Sequence, residues 1–182
     1  MVRRWTRGSL LVATPLLTDP NFARTVLLML EHTDEGALGL VLNRPSAMTI
    51  ADAVPEWVDR AADPSLVFGG GPVQPGAAFV LGERPDPEPA TGFAPVIEQI
   101  GVVDLQADPP YDLGRVRVFS GYAGWTPGQL EGELAEEAWW VVGADPEDVF
   151  CDDPDDLWHD VLARQRGKLS WFANFPDDAS DN

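Results

Sequence analysis

The stretch from Arg117 to Leu134 constrains this chain more than any other, because it carries a strand, a glycine-bearing corner and a helix start in eighteen consecutive residues. Val116, Val118 and Phe119 alternate in part with Arg115 and Arg117, the pattern of a strand whose branched and aromatic side chains pack on a pleated surface. Gly121 and Gly124 permit a positive φ or a close backbone approach, so a sharp turn is expected there. Thr126-Pro127-Gly128-Gln129 then reads as a capping box with proline at the first helical position, which predicts a helix from Pro127. Leu130, Leu134 and Ala138 mark its apolar face, and Ala138–Val142 reads as a second buried strand.

The remaining chain alternates short strands with loops. Strands are expected at Ser9–Ala13, Thr25–Leu30, Ala37–Leu42, Leu66–Phe68, Ala77–Leu81 and Gly101–Leu105. Asp19-Pro20 predicts a single helical turn, and Thr49–Asp52 a short helix that stops before Pro55. Pro85, Pro87, Pro89 and Pro95 mark Arg84–Pro95 as an exposed loop. A last helix is expected from an Asp153 N-cap with Pro154 at its first position; Leu157, Trp158, Val161 and Leu162 form its packed face. Consecutive strands with short helices inserted indicate an α+β fold. Residues 1–173 are expected to form a single domain, and 174–182 an acidic mobile tail.

A net charge of −18 works against direct contact with nucleic acid or anionic lipid, both of which need a local excess of cations. The charge is uneven: residues 131–182 hold fifteen acidic and three basic side chains, while residues 1–50 hold four and five. A surface that tolerates an anion belongs in the first half. Cys151 is the only cysteine, so no internal disulfide forms and a reducing compartment suits the chain. The apolar run after Arg3, Arg4 and Arg7 is short and broken by Pro15, and it reads as a strand instead of a signal peptide. A cytoplasmic protein is expected, as monomer or weak homo-oligomer.

Several stretches together resemble the YqgE/AlgH family: Gly8–Ala13 with Asp19–Phe22, Glu31-His32 with Gly36–Pro45, Gly70–Val73, and Gly121–Trp125 with Pro127–Leu134. The resemblance spans about residues 8 to 165 in the family's order. It implies a bifurcated, mixed and largely antiparallel sheet folded into a pseudo-barrel, with short helices packed outside. It implies no assigned chemistry, although one branch is named as a transcriptional regulator of exopolysaccharide synthesis.

No stretch carries a recognised catalytic constellation. Ser120 lacks the first glycine of a nucleophile elbow, and Gly69-Gly70-Gly71-Pro72 lacks the lysine of a P-loop, which leaves it as an anion-binding nest or a turn with close backbone packing. His32 beside Glu31 offers a general base for a hydrolase-like alternative. Two histidines and one cysteine exclude a soft-ligand zinc site, and Asp152–Asp156 lacks the glycine and glutamate of a calcium loop. No metal or cofactor is expected. The reading is therefore a non-catalytic binding or regulatory module for a protein or small ligand, with transcriptional regulation as an alternative. Its ligand surface is expected where Asn43, Arg44, Gly70, Gly71, Gly121, Trp125 and Gln129 converge. In the structural alternative, Asn43 bonds backbone, Arg44 pairs with a carboxylate and Trp125 lids the core.

Overall fold

The computed structural model describes residues 5–86 and 88–176. Its strands are β1 (Ser9–Ala13), β2 (Val26–Thr33), β3 (Gly36–Val41), β4 (Pro45–Thr49), β5 (Leu66–Gly69), β6 (Val73–Glu83), β7 (Phe93–Ile97), β8 (Ile100–Val103), β9 (Val116–Trp125) and β10 (Trp139–Gly143). Helix α1 (Ile50–Ala53) follows β4, α2 (Gln129–Ala135) follows β9, and α3 (Pro146–Val149) and α4 (Leu157–Ala163) follow β10. The strands form one sheet in the order β10-β1-β2-β3-β9-β6-β8-β7, with β4 and β5 branching from it. All pairings are antiparallel except β5 with β9.

The branch explains the fold. Strand β9 pairs with β6 along one edge, while its other edge is shared by β5 at Phe119 and Ser120 and by β3 from Ala123 to Trp125. The chain leaves β5 and crosses over β9 to reach β6, and it does so at Gly70-Gly71. A Cβ on Gly71 (φ +152°) would lie 2.2 Å from the Tyr122 carbonyl carbon, and one on Gly121 (φ +74°) 2.5 Å from the Gly71 oxygen. Backbone passes over backbone there, which only glycine allows. The turn expected at Gly121–Gly124 is thus a swivel within one continuous strand, at which β9 changes neighbours.

The sheet curls into a half-barrel. One buried cluster draws on both ends of the strand order, with Leu10, Leu28, Leu40, Leu81, Ile100 and Val142 in common contact, so it lies on the concave side. Alternation sends the intervening residues Leu11, Leu27, Met29 and Val41 to the convex side. There α2 covers them through Leu130. Helix α4 instead stoppers one mouth of the concave side: Leu157, Trp158, Val161 and Leu162 join the inner cluster, and the Trp158 indole donates to the Ala13 carbonyl at 2.9 Å.

Three local expectations give way to tertiary structure. Helix α2 starts at Gln129, two residues late, because Gly128 takes φ +78°; the Gln129 side chain still accepts from the Thr126 amide at 3.1 Å. Helix α4 starts at Leu157, after Pro154–Asp156 make only a turn, whereas the full capping box belongs to α3 at Asp145 and Asp148. The segment Arg84–Pro95 is not simply an exposed loop. Arg84 is buried against Asp112 at 2.8 Å, and Phe93 opens β7. Pro95 is tolerated because β7 is an edge strand. Of the tail expected over 174–182, residues 177–182 lie outside the described residues, and the Phe175 and Pro176 carbonyls accept from Arg24.

Candidate functional site

A bulge in β2 decides what faces the open mouth. Between Met29↔Gly39 and Glu31↔Leu38 the pairing gains one residue, Leu30, on the β2 side. An extra residue reverses the alternation beyond it. Leu38 packs against the inner cluster, so its cross-strand partner Glu31 faces the concave side. Ala37 packs against the outer cluster, so its partner His32 turns outward beneath α2.

The unstoppered mouth is lined by half-buried apolar side chains from five strands. Leu38, Phe79, Tyr122 and Val102 lie on β3, β6, β9 and β8, and Val96 on β7, with the exposed Ala94 beside it at the rim. Phe79 and Tyr122 meet edge to face with centroids 5.6 Å apart, which fixes both rings. Two cavities of about 440 and 370 Å³ share Glu31, Thr33 and Leu38 between them. Arg7 straps the seam of the half-barrel. Its Nε donates to the Leu30 carbonyl at 3.0 Å and its guanidinium NH2 to Pro95 at 2.9 Å, joining the β2 bulge to β7. Among the described residues, the exposed Glu31 carboxylate has no ion-pair or hydrogen-bond partner.

The seven sequence-predicted site residues fall into three places. Gly70, Gly71 and Gly121 do meet, as the backbone crossing beside β9; the Gly70 amide donates to Ser120 and its carbonyl accepts from Val41. Asn43 and Arg44 reach the same region only through main chain, at the bond from the Gly69 amide to the Arg44 carbonyl. The Asn43 side chain accepts from the Val26 amide and donates to the Arg24 carbonyl, and Arg44 donates to the Pro20 and Ala23 carbonyls, not to a carboxylate. Both side chains brace the 19–25 turn. Trp125 and Gln129 converge elsewhere, on Glu133: its carboxylate accepts from Trp125 and Trp139 Nε1, both at 2.9 Å, and from Gln129 Nε2 at 3.1 Å. Trp125 is buried and lids the outer cluster, stacking on Phe22.

His32 is likewise occupied. Its Nδ1 accepts from the Thr6 amide at 3.1 Å, which assigns the ring proton to Nε2, and that nitrogen lies 3.3 Å from Glu131 Oε1. The carboxylate beside it is therefore Glu131, not its sequence neighbour Glu31. Arg117, on β9, is buried and donates to the Cys151 and Asp63 carbonyls at 2.7 and 2.5 Å; burial lowers its pKa to about 10. Cys151 is half-buried, and burial raises its thiol pKa. The sequence reading missed Leu38, Phe79 and Val102 as site residues. Their signal was an apolar or aromatic side chain two residues from a core position on its own strand, as Leu38 is from Leu40, Phe79 from Leu81 and Val102 from Ile100, but nothing in that alternation marks which end of the sheet is left uncovered.

The model of the AlgH-like family (DUF179) matches residues 10–170. The chain belongs to the AlgH-like family. The UPF0301 protein of Streptomyces coelicolor is 49% identical over 182 residues, covering 96% of this chain and 94% of that one. The UPF0301 protein of Mycobacterium tuberculosis is 44% identical over 181 residues, covering 96% and 90%. Among solved structures, a crystal structure of a Corynebacterium diphtheriae protein superposes on this AlgH-like chain with a TM-score of 0.87 at 31% identity, covering 93% and 92%. The solution structure of the AlgH protein from Pseudomonas aeruginosa gives 0.67 at 30% identity, covering 98% of each. The curled, mostly antiparallel sheet with a few short helices is thus the family fold. The names of these relatives specify a family and no reaction. Among the described residues, no helix is long and apolar enough to cross a membrane.

Proposed function

We propose that this AlgH-like chain is a non-catalytic binding module whose ligand seats in the open mouth of the half-barrel. One observation carries the reading: inner-face side chains that α4 covers at one mouth continue, uncovered, into a connected apolar recess at the other. Barrel mouths are favoured ligand sites, and recesses of this size suit a small molecule. The sequence-based surface at Asn43 and Arg44 is less suited to the role, since both side chains are engaged with backbone carbonyls and amides. Hydrolysis through His32 is disfavoured by the same kind of engagement, because the Nδ1 lone pair is held by the Thr6 amide. Transcriptional control by direct DNA contact draws no support from a net charge of −18.

The test is amide chemical-shift mapping with a neutral aromatic probe, 2-phenylethanol. Shifts confined to Leu38, Phe79, Ala94, Val102 and Tyr122, abolished by Phe79→Ala and unchanged by Arg44→Ala, support the assignment. Shifts centred on residues 43–44 and 70–71 would move the site back to the glycine crossing.

A further inference from the structure

We infer that the mouth takes a cationic ligand, an apolar body bearing an ammonium group, with Glu31 as its counter-ion. The inference rests on the mouth being the binding site and specifies what it selects. Glu31 is the residue that lines both cavities while carrying a charge, and the bulge at Leu30 is what turns it to the concave face. Beside it stand Leu38 and the Phe79–Tyr122 pair, so an ammonium at Glu31 places an attached hydrocarbon directly on apolar surface. The carboxylate is an acceptor with no donor of its own among the described residues, and apolar walls strengthen an ion pair formed against them.

The other charges at the mouth agree in sign or are already committed. Glu35 lines the larger cavity and adds a second negative charge. Of the two basic side chains lining the smaller cavity, Arg7 directs its Nε and NH2 groups to the Leu30 and Pro95 carbonyls, and His32 is buried with its Nδ1 accepting from the Thr6 amide. Thr33, Thr126 and the Tyr122 hydroxyl supply neutral polar groups that tolerate an ammonium. An anionic ligand would meet two carboxylates and one preoccupied guanidinium.

Three probes of matched shape separate the possibilities: 2-phenylethylammonium, 2-phenylethanol and 3-phenylpropionate, titrated at pH 7 and low salt with amide shifts as readout. The ammonium probe is expected to bind about tenfold more tightly than the alcohol, and the propionate more weakly than either. Glu31→Gln, an exposed and shape-conserving change, removes that tenfold preference while leaving the alcohol's affinity within about twofold. Glu136→Gln, the same loss of charge at an exposed position that caps the C-terminus of α2 and is not among the residues lining either cavity, leaves the preference intact. Alcohol or propionate binding as tightly as the ammonium, or equal losses in the Glu31 and Glu136 variants, overturns the cationic selectivity while leaving the mouth as the site. Failure of all three probes to shift any mouth residue overturns the site itself.

Discussion

The two mouths of the half-barrel are built from the same strands and end in opposite circumstances. At the stoppered mouth the inner face of β1 and β2 meets α4, and Trp158 is both enclosed by apolar neighbours and hydrogen-bonded to Ala13. At the open mouth the inner face of β2, β3, β6 and β8 ends in Glu31, Leu38, Phe79 and Val102, with cavities where a helix could have packed. One end therefore holds the molecule together, and the other is left with apolar surface that stability alone does not require. The contrast predicts that substitutions at the stoppered end act on folding, and those at the open end on binding.

The largest effect is expected from Trp158→Ala, which removes a fully buried indole and leaves a cavity between α4 and the sheet. A loss of about 3–5 kcal/mol in urea unfolding is expected, the range for aromatic truncation in a core. A loss below about 1 kcal/mol would mean that α4 does not stopper the barrel. Next comes the crossing between the two ends. Gly71→Ala puts a Cβ into the Tyr122–Ala123 peptide and is expected to destabilise by about 3 kcal/mol, measured the same way. Glu133→Ala on the convex face leaves the buried Trp125 and Trp139 indole N–H groups without their acceptor, and about 2 kcal/mol should be lost with a change in tryptophan emission.

The smallest effect concerns acid. Arg84 hydrogen-bonds Asp112 and holds its carboxyl below the ordinary value. A lowered folded pKa contributes stability that is present above the unfolded value near 3.8 and lost as pH falls through the folded one. Unfolding free energy measured from pH 5 down to pH 2 should therefore fall less steeply in Asp112→Asn than in the parent. Identical acid limbs would show that the pair adds nothing to folding.

Much of the stoppered end was legible in the sequence and little of the open one. Leu10, Leu28 and Val12 sit in strands that read plainly as buried, and Trp158 lies on a helix face whose spacing was evident. The glycine pairs at 70–71 and 121 advertised a close approach, though not that one chain crosses another between them. The charged edge of the open mouth was hidden because the facing of Glu31 and His32 is set by a single unpaired residue, Leu30, and a bulge has no composition of its own here. Read with unbroken alternation, Glu31 would point outward and His32 inward, the reverse of what the register gives. Long-range closure was equally invisible: Arg7 and Pro95 are far apart in sequence, and their contact exists only because the sheet curls.

The division of labour between the two mouths is tested most directly by filling the open one. Ala94 is exposed on β7 and lines the smaller cavity, so Ala94→Trp occupies the recess without entering the core. Binding of a neutral apolar dye such as Nile red and urea unfolding should be measured on the same preparation. Lost dye binding with unfolding free energy within about 0.5 kcal/mol of the parent is the expected result; undiminished dye binding, or a loss of stability as large as that of Trp158→Ala, would contradict it.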